Sequence, residues 1–583
     1  MPDRPNKVSV PESAGGGAGQ PVLTSETQLR NWSLLVLSLA AVMVLSQASV
    51  PIEKFIHRGD DAFYYFQLAA NYPRVGYWSF DQIHTSNGVQ PLWAMVLTTA
   101  ALALDWLGIQ DKDVLARVFV LLAAMANVAS AFVLFHLLTR AVSIGTGIAA
   151  AGAFLLPMGI VWQRVWGMET SLYALLLVST VAVYHLNYLG KPTYRGSLLL
   201  GALLGLTTLA RLNAGLFIPC LLAHFLLMAP RPGFITRLKL TLVAGCSAGL
   251  LVGSYLAYNW LTTDHFLPVS GAIKQIGSAN YLAANGIDTP FSLLFWKQHY
   301  EAFRGPILWF IKSRSLDGMW LVGSRVVFGG DSGALIENFL LFCTAVLLLP
   351  ALLGHPLEWL RFLTLRLRRL SVFGYVLLFG VVDALVSTML YPLQAHYAMI
   401  KWWFVENEIV LAVATGTVSV AALAFVGGRF LNHKQQARLV PLALCALVAY
   451  QAQIHVKHYW FEGRRIYDWN LSANEEMYYA AKWLNANVRK DIIVGAWNAG
   501  ILGYYSDHRV VNLDGLINNY EFLPYLRERR INEYIQEQGI EYLADFQSMF
   551  NRVDSLARLR LELVYSNYSE FLGMHYRIYK VLQ

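Results

Sequence analysis

Val114–Leu138 reads VLARVFVLLAAMANVASAFVLFHLL, an almost unbroken apolar run that exceeds the roughly 20 residues a helix needs to cross a bilayer core. Comparable blocks lie on either side of it, at Trp32–Val50, Leu238–Trp260 and Phe373–Leu390. Over all 583 residues, 56% are hydrophobic and 14% charged, against roughly 25% charged in soluble domains. The chain therefore reads as a polytopic α-helical membrane protein. Its net charge of +8 is spread through short connections between the apolar blocks, which points to membrane topology and away from nucleic acid. Cys220, Cys246, Cys343 and Cys445 lie in or beside expected spans without CxxC spacing, so they read as small packing residues.

Eleven spans are expected, near 32–50, 114–139, 144–161, 170–188, 196–211, 213–229, 238–260, 336–354, 372–391, 405–426 and 439–454. Leu92–Leu107 is apolar but short and contains Asp105. If it crosses, the basic loops (Arg140; Lys191 and Arg195; Arg231, Arg237 and Lys239; Arg361, Arg366, Arg368 and Arg369; Arg429, Lys434 and Arg438) fall opposite the N-terminal Arg4, Lys7 and Arg30. If it lies at the outer surface, all share the cytoplasmic side, as the bias of Lys and Arg toward that side requires. This places the N-terminus inside and the C-terminus outside a bacterial cytoplasmic membrane. Residues 1–30 read as a disordered cytoplasmic tail without a signal-peptide pattern, and 31–454 as the transmembrane domain with an outer loop at 51–113. Residues 455–583 read as an extracytoplasmic α/β domain, with strands at Ile492–Gly495, Val510–Leu513, Glu541–Leu543 and Tyr576–Val581 and helices at Ala473–Asn487 and Leu526–Gln538.

The first outer loop carries Arg58-Gly59-Asp60-Asp61-Ala62-Phe63-Tyr64-Tyr65-Phe66, then Asn87-Gly88-Val89-Gln90-Pro91-Leu92-Trp93. Adjacent carboxylates just outside a span need water, a counter-ion or a ligand, and one could take a proton from an attacking hydroxyl. The plain alternative is a helix start, with Asp60 as N-cap and Asp61 in the first turn. Glu169, in the second outer loop, opens a span and is either a further acid on the same side or a helix-end charge. Outer-side cations that could face a phosphate are Lys274, Arg304, His396 and Lys401, with Trp402 and Trp403 beside the last. An interfacial aromatic belt is the alternative for Trp402 and Trp403, and a snorkelling or helix-end arginine is that for Arg211. Asp383, mid-span, reads as needing a structural partner.

The series Asp-Asp-Ala-Phe-Tyr-Tyr, Asn-Gly, Pro-Leu-Trp, with an acid in the second outer loop and an external C-terminal domain, resembles bacterial GT-C glycosyltransferases, most of all the arabinofuranosyltransferase-type branch. The resemblance implies transfer of one sugar from a polyprenyl-phosphate donor to a cell-envelope glycan or lipid acceptor, by an inverting route. It implies Asp60 as base with Asp61 beside it, and Glu169 (with Asp61) for acceptor or for a divalent cation such as Mg or Mn. Tyr64, Asn87 and Gln90 belong to the same loop motif, while no Trp-Trp-Asp-Tyr-Gly signature of transfer to asparagine occurs. Beyond donor, acceptor and membrane lipids, no nucleic-acid partner is implied. A transporter or flippase of a lipid-linked glycan would spread polar residues along several spans, whereas here they gather at the outer ends. A non-catalytic glycan-binding envelope protein is the third reading.

Overall fold

The computed structural model describes residues 25–155, 164–230, 232–287, 373–392, 405–430, 471–551, 554–569 and 573–582, with a few more around 289–297 and 357–364. Among these residues the chain is mostly helical, and its sheet is confined to the C-terminal part. Helix α1 (Ser25–Leu45) begins inside the stretch expected to be tail, whose residues 1–24 lie outside the described residues. It is followed by α2 (Asp60–Val75), α3 (Pro91–Trp106), α4 (Lys112–Ala141), α5 (Ile144–Leu155), α6 (Thr170–Ala182), α7 (Tyr194–Ala210), α8 (Phe217–Met228), α9 (Phe234–Thr263), α10 (Val269–Ala284), α11 (Gly374–Leu390) and α12 (Val405–Phe430).

Four segments among the described residues are long and apolar enough to cross a membrane: Arg30–Ser49, Lys112–Ala141, Thr170–Tyr188 and Phe234–Thr263. Helices α3, α5, α7 and α11 are apolar but shorter. The spans expected at 336–354 and 439–454 lie outside the described residues, as do Cys343 and Cys445. Cys220 and Cys246 carry free thiols. Small residues set the helix packing, as they do where lipid supplies no hydrophobic drive. A Cβ on Gly201 of α7 would stand 2.2 Å from the Ala244 carbonyl of α9, and one on Gly416 of α12 would stand 2.6 Å from the Ala150 nitrogen of α5.

Helix starts follow the sequence locally. The Asp111 carboxylate accepts from Val114 N at 2.9 Å at the head of α4, and Thr193 accepts from Gly196 N at 3.0 Å at the head of α7. Helix α2 stops at Gly76, which adopts φ +80° and returns its N–H to Tyr72.

The C-terminal part comprises α13 (Leu471–Asn487), β1 (Ile493–Ala496), α14 (Gly500–Tyr505), β2 (Arg509–Asn512), α15 (Leu523–Arg527), α16 (Ile531–Glu537), β3 (Ile540–Phe546), β4 (Arg560–Ser569) and β5 (Met574–Leu582). The sheet order is β2-β1-β3-β5-β4, with β1 parallel to β2 and β3 and the other pairs antiparallel. Two expectations need correction. The single helix at Leu526–Gln538 is two, α15 and α16, because the chain turns at Arg529 with φ +56°. Strand β4 had no counterpart in the sequence reading; it sits at the sheet edge with its side chains mostly exposed, so it lacks a buried apolar alternation.

The sheet domain rests directly on α2 and the segment that leads into α3. One apolar cluster joins Phe63 and Phe66 of α2, Trp93 of α3 and Phe119 of α4 to Leu484 of α13, Ile501 and Tyr504 of α14 and Tyr576 of β5. The Phe63 and Phe66 rings lie 5.6 and 5.9 Å from that of Tyr504. Backbone meets backbone along this seam: a Cβ on Gly88 would fall 1.8 Å from the Leu516 carbonyl oxygen.

Candidate active site

The chain entering α2 is clamped from two sides. Buried Arg58 donates to Val165 O at 3.1 Å and Gln47 O at 2.6 Å, while Asn474 of α13 donates to Ile56 O at 2.9 Å and also to Arg58 O. Gly59 lies where a Cβ would strike the Trp166 ring at 2.5 Å, so the loop before α6 fixes where α2 begins.

Residues four apart on a helix share a face, and adjacent residues are turned by about 100°. The series Asp60-Asp61-Ala62-Phe63-Tyr64-Tyr65 therefore writes two stripes along α2. The Asp60 and Tyr64 stripe faces the sheet domain. The Asp60 carboxylate accepts from Gly500 N at 3.1 Å and Ile501 N at 2.7 Å, the first amides of α14. It thus caps a helix distant in sequence, while the cap position of α2 itself is Gly59. The Tyr64 hydroxyl lies 3.4 Å from Trp497 O, Ala499 N and Asn512 Nδ2. Behind these, buried Asp545 accepts from Trp497 N at 2.9 Å, Asn498 N at 2.8 Å and Asn498 Nδ2 at 2.9 Å, which orders the loop that presents α14.

The Asp61 and Tyr65 stripe faces the membrane helices. The Tyr65 hydroxyl donates to Glu169 Oε2 at 2.9 Å and accepts from Gln90 N at 3.0 Å. Gln90 Oε1 accepts from Leu212 N at 3.0 Å, next to Arg211 at the end of α7. Asn87 Oδ1 accepts from Val269 N at 3.2 Å and so fixes the start of α10, the helix that carries Lys274. Glu169 and Arg211 are buried, whereas Asp61 and Lys274 are half-buried. Glu169 stands at the cap position of α6 but makes no side-chain cap there; its carboxylate is spent on Tyr65.

The loop after β2 brings the sheet domain against α10 and the 87–90 segment. Asn512 donates to Trp497 O at 3.1 Å and its Oδ1 accepts from Gly515 N at 2.9 Å. Gly515, at φ +87°, leaves room for Ile273 of α10, whose Cδ1 would lie 2.6 Å from a Cβ. Asp514, between them, accepts from Leu516 N at 2.7 Å and adds a third carboxylate.

Burial pushes Asp60 up to about 7, with Asp61 and Asp545 adding to the rise and the Ile501 and Gly500 amides opposing it. Asp514 is pushed up to about 7 by burial, against its Leu516 hydrogen bond, with Asp61 and Asp60 adding. Asp61 is raised by burial and by Glu169, while the Lys274 charge holds it down. Lys274 is lowered by burial and Arg211, against the pull of Asp61 and Glu169.

A further polar cluster joins α6, the end of α7 and α12, and the sequence reading did not single out its acids. Glu406 of α12 accepts from Tyr173 OH at 3.0 Å, the Arg211 guanidinium lies 5.6 Å from the Tyr173 ring, and Glu408 pairs with Arg164 at 3.5 Å. Two acids at the head of an apolar span were the available signal. Asp383 has the structural partner expected of it, Asn213 Nδ2 at 2.9 Å.

The structure thus ties Tyr65, on the stripe of Asp61, to Glu169 and Gln90, and Asn87 to the start of the helix that carries Lys274, with Arg211 alongside; Asp60 and Tyr64 lie on the other stripe against the sheet domain, and Asp514 stands in the loop after β2. Arg304, His396, Lys401, Trp402 and Trp403 lie outside the described residues. Among the described residues, no three His, Cys, Asp or Glu side chains are grouped to share a metal ion.

A family model described as Domain of unknown function (DUF8728) matches residues 464–580. The match spans the sheet domain alone. No curated protein matches the chain. Among solved structures it is similar to the archaeal oligosaccharyltransferase AglB from Archaeoglobus fulgidus in complex with an inhibitory peptide and a dolichol-phosphate, at 13% identity and TM-score 0.48 over 94% of this chain and 74% of that one. The apo form of the Archaeoglobus fulgidus oligosaccharyltransferase matches at 12% and 0.47 over 89% and 70%, and its complex with Zn and sulfate at 12% and 0.46 over 93% and 72%.

Proposed function

We propose that the protein is an integral membrane glycosyltransferase that moves one sugar from a polyprenyl-phosphate donor to a hydroxyl of a cell-envelope glycan or lipid, at the outer face of a bacterial cytoplasmic membrane. The observation that carries this reading is the division of α2 into two stripes. Asp60 is occupied by the α14 amides, whereas Asp61 is half-buried on the other stripe, with no hydrogen-bond donor on its carboxylate among the described residues and the Lys274 charge holding it down. We therefore assign the base to Asp61 and the clamp to Asp60.

In this reading the Asp61 carboxylate takes the proton of the acceptor hydroxyl. The acceptor oxygen forms its bond to the anomeric carbon while the bond from that carbon to the phosphate oxygen breaks, and the lipid phosphate leaves with the electron pair. Cations aimed at a leaving oxyanion lower such a barrier, the role given to Lys274 and Arg211, and proposed for Arg304, His396 and Lys401. Glu169 holds Tyr65, and with it the face of α2 that carries Asp61. The aromatic Trp402 is proposed to stack on the sugar.

The full-length chain in lipid nanodiscs, offered a panel of polyprenyl-phosphate sugars and envelope-lipid extract, tests this. Asp61→Asn should lower transfer by about 10²- to 10⁴-fold, the usual worth of a general base, with helical content kept. Full transfer by Asp61→Asn overturns the assignment.

A further inference from the structure

A cleft between the ends of α2 and α3 and the start of α4 lies apart from the residues given to sugar transfer. We infer that it binds the headgroup of a zwitterionic aminophospholipid, with the phosphate on Arg74 and Lys112 and the ammonium on Asp105. The site requires only that α4 cross the membrane, and it stands whether or not the protein transfers sugar.

Three helices supply the charges. Arg74 comes from the last turn of α2, Asp105 from the last turn of α3, and Lys112 is the first residue of α4; all three line the cleft, with buried Ala101 and Leu115 as apolar wall. The surrounding backbone is tied down. Buried Asn71 donates to Ser79 O at 3.0 Å and Phe80 O at 2.9 Å, and its Oδ1 accepts from Gln82 Nε2 at 3.1 Å, which fixes the α2 side. Gln110 Nε2 donates to Asp105 Oδ1 at 2.7 Å across the turn into α4 and leaves Oδ2 to a ligand. The Lys112 ammonium donates to Ser506 O at 2.9 Å, which uses one of its three hydrogens.

Among the described residues, Arg74, Lys112 and Asp105 form no ion pair, with one another or with any other group. Asp507, next to Ser506, is paired with Lys490 at 3.0 Å. Two cations and one carboxylate held apart around one opening match a ligand that carries both signs. A phosphate takes charged donors from both cations, and a primary ammonium donates to the carboxylate.

The position of the cleft selects a lipid as its occupant. Lys112 opens a 30-residue apolar segment long enough to cross a membrane, so the cleft sits where that segment meets the membrane surface. Helix α3 also leaves one face uncovered: Met95, Leu102 and Trp106, spaced along one side of the helix, are exposed, Trp106 by 86%. Ala101 and Asp105 of the cleft directly precede Leu102 and Trp106, so this stripe starts at the rim of the cleft and gives acyl chains an apolar track. Tryptophan at the rim suits the headgroup level of a bilayer.

Native mass spectrometry of the full-length protein tests the site, with lipids of identical acyl chains bearing phosphoethanolamine, phosphocholine or phosphoglycerol headgroups. Wild type should hold the phosphoethanolamine lipid about tenfold more tightly than either other, the worth of one hydrogen bond to a charged group. Arg74→Gln, at an exposed residue, should weaken that binding about tenfold, and Asp105→Asn should erase the preference over phosphoglycerol. Equal retention of the three lipids by wild type overturns the inference, as does an unchanged preference in both variants. A wild-type preference for phosphoglycerol overturns it too, since Asp105 would then have no ammonium to bind. Free phosphoethanolamine at equal concentration should not displace the lipid; full displacement overturns the choice of a membrane lipid. Absent sugar transfer bears on the transferase reading alone.

Discussion

Replacing Gly500 by alanine tests the clamp on Asp60 at its tightest point. The new Cβ would stand 2.2 Å from the Asp60 carbonyl oxygen and 2.7 Å from Oδ1, where real Cβ contacts essentially never fall below 3.0 Å. Restoring that clearance means withdrawing α14 by about 0.8 Å, which stretches the 2.7 Å bond from Ile501 to about 3.5 Å and the 3.1 Å bond from Gly500 further, outside hydrogen-bonding range. Each such bond to a charged group is worth about 1.5–3 kcal/mol, and water admitted to the gap returns part of it, leaving about 3 kcal/mol. Local opening of the seam should then rise by about 10²-fold. Hydrogen exchange of the peptide covering 499–505 reads this directly. Gly190→Ala, where a Cβ meets nothing within 4 Å, is the control. Exchange in Gly500→Ala indistinguishable from that control would refute the clamp and, with it, the reason for assigning the base to Asp61.

Other outcomes follow from the same geometry. Asp61 must be ionised to act as base and is raised, chiefly by burial, so transfer should fall on acidification with a midpoint above the usual carboxylate value of about 4, measured as the acid limb of the rate profile. Asp60 and Asp514 are both pushed up to about 7, so the folded state holds these protons more tightly than the unfolded chain; stability should be full below about pH 4 and be lost as pH rises toward 7. Thermal unfolding in nanodiscs should therefore show a lower midpoint at pH 8 than at pH 5, and Asp60→Asn should reduce the difference. Tyr65→Phe removes the bond to buried Glu169 and should cost about 1–3 kcal/mol in stability, with transfer reduced less than by Asp61→Asn.

Much of the helical pattern was legible in the sequence because a bilayer imposes length and polarity rules on every segment. Asp60, Asp61 and Glu169 stood out as acids beside expected spans, and Asn87 and Gln90 as part of the loop motif; the structure joins Glu169 and Gln90 through Tyr65. What could not be read was which carboxylate does what. The two are adjacent in sequence, and only the arrival of α14, contributed 440 residues later, separates them. Likewise nothing beside Asp514 in sequence ties it to α2; only the seating of Gly515 and Leu516 against Ile273 and Gly88 brings it to that side of the sheet domain. Arg529 shows the opposite difficulty: a non-glycine residue at φ +56° breaks an otherwise helical stretch, and nothing in its side chain announces it.

The zero clearance at Gly88 and Gly500 has a practical meaning for protein engineering. A sheet domain transplanted from a relative could keep every strand and still fail to seat, because a single methyl group on either surface would hold the two apart. Chimeras should therefore exchange residues 87–90 and 497–516 together, treating them as halves of one joint.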